Sequence, residues 1–191
     1  MIDYLTLMLI NMAAGLVVLA HYVYAGITAE DKSRWVAGFA ITGFIAVITG
    51  LHMSLTWPLT GSFNILFGEP TVLFGTLFLG AALVLSKRWT MHTVSIYALF
   101  AGLVALVLGI RVLDMGLTRS PVVAGAGYIL TGLGGLMTWL CCLLDPVVSL
   151  KTSSTLRLIG ALVLLTAAAI WALIGYNAYW DHIETFMGYV P

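Results

Sequence analysis

Six apolar runs fill almost the whole of this chain, at about residues 4–27, 35–57, 71–86, 93–115, 122–144 and 156–180. A helix that crosses the hydrocarbon core of a bilayer needs about 20 apolar residues at about 1.5 Å of rise each. Spanning β-strands would alternate polar and apolar residues over about ten positions, whereas stretches such as Ala98–Leu108 and Leu158–Ile174 are continuous. Only helices or closed barrels satisfy their backbone polar groups in lipid. The fold class this implies is all-α: a polytopic membrane bundle of six transmembrane helices, arranged as three tandem hairpins in a single domain over residues 1–191. With 8% charged residues, almost none of the mass lies outside the lipid.

The first run is too long, and too poorly flanked by basic residues, for a cleaved signal peptide. It reads as the first helix, with Asp3 as its cap. Lys and Arg then set the topology. Lys32 and Arg34 lie between helices one and two, Lys87 and Arg88 between three and four, and Lys151 and Arg157 between five and six. Only Arg111 and Arg119 fall on the other side. The positive-inside rule therefore places both termini outside and makes this a multi-pass protein of the cell (inner) membrane. The formal net charge of zero gives no electrostatic case for nucleic acid. Its surroundings are the lipid bilayer, with other membrane subunits or a second copy as further partners.

Each even helix carries the same punctuation near its outer end: Gly50-Leu51-His52, Gly109-Ile110-Arg111 and Gly175-Tyr176-Asn177. Glu69-Pro70 and Ser120-Pro121 open helices three and five, where proline suits the first turn. Gly102, Gly109 and Gly116 recur every seven residues, and five glycines crowd helix five between Gly125 and Gly135. Small residues let helix backbones approach closely, so helix five is expected to be central. Cys141 and Cys142 are adjacent on one helix and point about 100° apart, which disfavours a disulfide between them.

Polar residues concentrate at the outer side. His52, Glu69, Arg111, Asp114, Asn177 and His182 are the candidate ligand- or metal-binding residues, and Arg111 and Asp114 can pair three apart on one helix face. The outer loop contains Trp57, Asn64 and Phe67 and is amphipathic enough to fold over the mouth of the bundle as a lid. Four histidines sort by depth into an inner pair, His21 and His92, and an outer pair, His52 and His182. That sorting is the layout of paired imidazoles holding haem b. The outer histidines with Glu69 or Asp181 also offer nitrogen and oxygen ligands for a transition metal, although no two share the spacing of a recognised motif. Trp57, Phe63, Phe67, His52, Arg111 and Asp114 could equally line a quinone-type slot.

The stretch Trp57-Pro58-Leu59, Asn64 and Phe67-Gly68-Glu69-Pro70, within a six-span layout, resembles a family of small bacterial and archaeal membrane proteins classed as a domain of unknown function. The resemblance implies the six-span architecture and no activity. No nucleotide-binding glycine loop and no serine or cysteine nucleophile motif occurs, which argues against a soluble-type ATPase or hydrolase. The sequence thus favours an integral membrane protein with a polar ligand or cofactor site (metal, haem or quinone) at the outer face. The alternatives are an accessory subunit of a larger membrane complex without a site of its own and, ranked below it because an almost wholly apolar midplane weighs against carrying an ion, a small transporter.

Overall fold

The computed structural model describes residues 4–144, 150–185 and 187, with side chains undescribed at 150–153. Asp3, the expected cap of the first helix, lies outside them. Six helices follow one another: α1 Leu5–His21, α2 Val36–Thr56, α3 Glu69–Ser86, α4 His92–Met115, α5 Pro121–Leu144 and α6 Leu150–Thr185. All six stretches are long and apolar enough to cross a membrane, and no strand occurs among the described residues. The protein is a multi-pass membrane protein built as a helical bundle.

Two of the helices are extended by wide π turns. Tyr22–Gly26 lengthens α1, and Asn64–Gly68 precedes α3. The second extension matters, because the apolar run at 71–86 is short for a bilayer. Counting from Asn64, the third span reaches 23 residues. Proline occupies the first turn of α3 and opens α5, as its missing N–H allows.

Each helix packs on its neighbours in sequence, and α6 returns to pack on α1, so the six close into a ring. We call the end holding Tyr4, the α2–α3 and α4–α5 connections and Thr185 the terminal end. The closest backbone approaches are within the helix pairs joined by its two connections. A Cβ added to Gly43 would lie 2.9 Å from the Gly75 carbonyl oxygen, and one on Gly50 3.0 Å from that of Gly68. The α4–α5 pair repeats this geometry, with Gly102 and Gly132 each 2.7 Å from the other's oxygen and Gly109 3.0 Å from that of Gly125. The second pair lies 59 residues further along in its first helix (43 to 102, 50 to 109) and 57 in its second (68 to 125, 75 to 132). Both pairs are antiparallel glycine seams with a spacing of seven.

Helix five is not the central helix. The most enclosed spans are α1 and α3, each 61% buried, against 44% for α5. The glycines of α5 serve two neighbours instead: Gly125, Gly132 and Gly135 face α4, while Gly127 and Gly134 receive Ile170, Trp171 and Leu164 of α6. Small residues set how near two helices lie, and a helix in a ring can meet two neighbours closely while one side still faces lipid. On α2 and α4, Ile41, Phe44, Leu55, Phe100, Val107 and Ile110 are exposed, as lipid-facing residues are. Inside the ring, Asn11 of α1 donates to the Thr42 carbonyl of α2 at 2.8 Å, and Phe39 packs between Tyr22 and Phe78.

These seams set a clear expectation. Gly132→Ala places a methyl where a backbone oxygen already stands, and α4 and α5 must separate; overpacking of this kind costs about 1–3 kcal/mol. Gly80→Ala, whose new methyl would meet only Val94 at 3.8 Å, should leave thermal stability in detergent unchanged.

Candidate functional site

At the terminal end the chain between α2 and α3 folds back over the bundle. Trp57 ends α2 in the left-handed region at φ 49°, and Gly61 turns the segment at φ 60°. Asn64 is fully buried and closes the turn. Its side-chain oxygen accepts the Leu59 N–H at 3.0 Å, and its amide donates to the Leu59 carbonyl at 2.6 Å. One side chain thus stands in for a strand partner and satisfies both polar groups of Leu59. Asn64 therefore shapes the segment and offers little to a ligand.

The segment is tied down by α5. Tyr128 is buried and donates its hydroxyl to the Leu66 carbonyl at 2.6 Å. Phe67 stacks on Phe63 and lies against Tyr128, and Tyr128 meets Trp171 edge-on with centroids 4.8 Å apart. Trp171 in turn donates its indole N–H to the Thr131 hydroxyl at 2.8 Å. An aromatic chain so runs from the folded-back segment through α5 to α6.

Beside this chain lies a cleft of about 420 Å³ between α1, α5 and α6, with the α4–α5 turn at its mouth. On α6 the lining residues Trp171, Ile174, Asn177, Ala178, Asp181 and His182 recur at helical spacing and form one stripe. Ten residues separate Trp171 from Asp181, about 15 Å along the helix, so the stripe is apolar at depth and polar at the mouth. Leu9, Phe67 and Ala124 complete the apolar part. At the mouth, the Thr6 hydroxyl lies 3.3 Å from Nδ1 of His182, and Arg119 lies 3.5 Å from Asp181. Thr118, at φ 80°, also lines the cleft; its Oγ1 is buried and has no hydrogen-bond partner.

The residues singled out from sequence divide between this cleft and other surfaces. Asn177 and His182 share the cleft, and Phe67 forms part of its wall. His52 is exposed on α2, its ring edge-on to Tyr4 at 5.1 Å. Glu69 is exposed in the first turn of α3. Arg111 pairs with Asp114 at 2.5 Å and reaches the Met115 sulfur at 3.1 Å, with both charged side chains more than half exposed. Trp57 is exposed as well. At the opposite end, His21 is exposed with its ring against Trp35, and His92 is exposed at the start of α4. The rings of His52 and His21 thus meet an aromatic of a neighbouring helix. Among the described residues no group of three or more His, Cys, Asp or Glu side chains converges. His182 with Asp181 is the pair best placed to contribute ligands at the cleft.

Thr6, Trp171 and Arg119 belong to the cleft but stand outside the set chosen from sequence, whereas Asp181, offered there as a metal ligand beside the outer histidines, lines it. The signal for Trp171 was available in the stripe on α6. Thr6 gave none, because only the closure of the ring brings α1 beside α6.

A family described as a protein of unknown function (DUF981) matches residues 1–185, and the chain belongs to it. This agrees with the expectation from the Trp57–Pro70 stretch. Neither a curated protein nor a solved structure gives a match to the chain.

The hold of α5 on the folded-back segment is open to test. Tyr128→Phe leaves the buried Leu66 carbonyl without its donor, at a cost of about 1–3 kcal/mol. Amide exchange and proteolysis around Gly61 should both accelerate, while exchange at the other end of the bundle, around Ser86, stays as in the wild type.

Proposed function

We propose that this DUF981 protein binds a lipid-soluble molecule with a hydrogen-bonding head, of which a quinone is one instance, in the cleft between α1, α5 and α6. The observation that carries the reading is the graded lining of that cleft. Trp171, Phe67, Leu9 and Ile174 line its deep part, and His182, Asn177, Thr6 and Arg119 line its mouth. Ligand sites are mostly apolar, with a few placed polar groups that fix orientation, and the volume of about 420 Å³ falls within the range of such sites. Imidazole, amide, hydroxyl and guanidinium groups can all donate to a carbonyl or hydroxyl head. The basic residues gathered at the opposite end support an orientation with the cleft on the outer side of the cell membrane.

A second reading, a metal or haem held by the outer histidines, draws on fewer observations. Only His182 of that pair lines the cleft, and Asp181 beside it is engaged by Arg119.

The test is titration of the protein in nanodiscs with a short-chain quinone and with an alkyl compound of matching size that lacks polar atoms. The quinone should bind and the alkane should bind much more weakly. Val123→Trp, which fills the cleft, should abolish binding. His182→Ala, which removes one hydrogen bond worth about 1 kcal/mol, should weaken it several-fold. Arg111→Ala should bind as wild type. Wild-type affinity in both Val123→Trp and His182→Ala would refute the site.

A further inference from the structure

At the opposite end of the bundle a second cleft, of about 340 Å³, lies between the α1–α2 and α3–α4 connections. Asp31, Lys32 and Ser33 line it from one connection, and Arg88 and Trp89 from the other, over Leu85. Glu30 lines it as well and adds a second acid. Asp31 is already engaged, since its two carboxylate oxygens accept the Ser33 N–H and hydroxyl at 2.9 Å each. Those two bonds, helped by the charges of Arg88 and Arg34, hold its carboxyl below the usual carboxylate range. Arg34 lies 4.2 Å over the Trp35 ring beside the cleft. Among the described residues, neither Lys32 nor Arg88 forms an ion pair.

The backbone of Arg88 adds an independent observation. It sits at φ 56°, in the left-handed region, where it ends α3. The Trp89 N–H bonds back to the Val84 carbonyl at 2.9 Å, and the Arg88 N–H to that of Leu85 at 3.2 Å. Glycine is the usual occupant of this position at a helix end, because a side chain there crowds the following carbonyl. The chain carries a cationic side chain at a place where its own backbone favours none. Strain of this kind gathers at functional sites. Trp89 follows directly and is 61% exposed, as a tryptophan at the lipid headgroup level would be.

We propose that this second cleft binds the phosphate of an anionic membrane lipid, with Arg88 and Lys32 as its cationic contacts. The exposed Trp89 gives the cleft an apolar side at the membrane boundary, which a lipid covers and a free phosphate in solution does not. The nearby cations Arg34 and Lys87 bring the net charge of the immediate surroundings to the positive side, where each Lys or Arg near an anionic surface adds about 1 kcal/mol.

The experiment is a titration of the detergent-solubilised protein with phosphatidylglycerol, followed by native mass spectrometry, with phosphatidylcholine and inorganic phosphate as comparisons. Arg88→Gly is the informative variant, because glycine keeps the left-handed turn while removing the side chain. It should bind phosphatidylglycerol about fivefold more weakly than the wild type, and Arg88→Gly with Lys32→Gln more weakly again. The thermal midpoint of Arg88→Gly without lipid should be no lower than wild type, which separates lost binding from lost folding. Equal affinity for phosphatidylcholine, or undiminished affinity in both variants, would overturn the proposal. Displacement of the lipid by millimolar inorganic phosphate would overturn it as well, by making the ligand a soluble anion.

Discussion

Backbone-to-backbone contact along two glycine seams is the constraint on which the rest of the molecule depends. Lipid tails are as apolar as leucine, so burial alone gives membrane helices no reason to associate. Close packing must supply the attraction. Gly43 and Gly50 on α2 against Gly68 and Gly75 on α3, and Gly102 and Gly109 on α4 against Gly125 and Gly132 on α5, bring helix backbones as near as they can come. The seams leave no room for a side chain at the glycine positions themselves.

The cleft follows from where seams are missing. Between α6 and α1 a glycine meets side chains, with Gly175 against Leu9 and Ile10. The space between α1, α5 and α6 is lined by larger residues of α6, Trp171 at depth and His182 at the mouth among them. The same α5 that meets α4 along glycines turns Tyr128 towards the folded-back segment and Val123 and Ala124 towards the cleft. The segment between α2 and α3 stays closed because Asn64 satisfies its own turn and Tyr128 holds the Leu66 carbonyl. Packing, closure and candidate binding site are therefore coupled through one helix.

Hydropathy made the six spans legible because lipid demands long apolar runs, and the proline starts of α3 and α5 were visible for the same local reason. The extension of α3 to Asn64 was not visible, since asparagine and glycine among aromatics read as a loop; only the bond from Asn64 to Leu59 shows why it coils. The recurring Gly-x-His and Gly-x-Arg pattern revealed a shared depth but not a shared face. A residue two positions after a glycine points about 200° away from it on a helix. Gly50 and Gly109 face their seams, so His52 and Arg111 turn away from them and are exposed. Depth alone grouped these two with His182, whereas the cleft was decided by the closure of α6 onto α1, which no local pattern encodes.

The most direct test of a ligand-bearing cleft is native mass spectrometry of the protein extracted in mild detergent from its own membrane, beside Val123→Trp prepared identically. One small lipid-soluble molecule per wild-type chain is expected, carrying a carbonyl or hydroxyl head and missing from the filled variant. A wild-type chain that carries no such molecule, or a molecule retained equally by Val123→Trp, would contradict it.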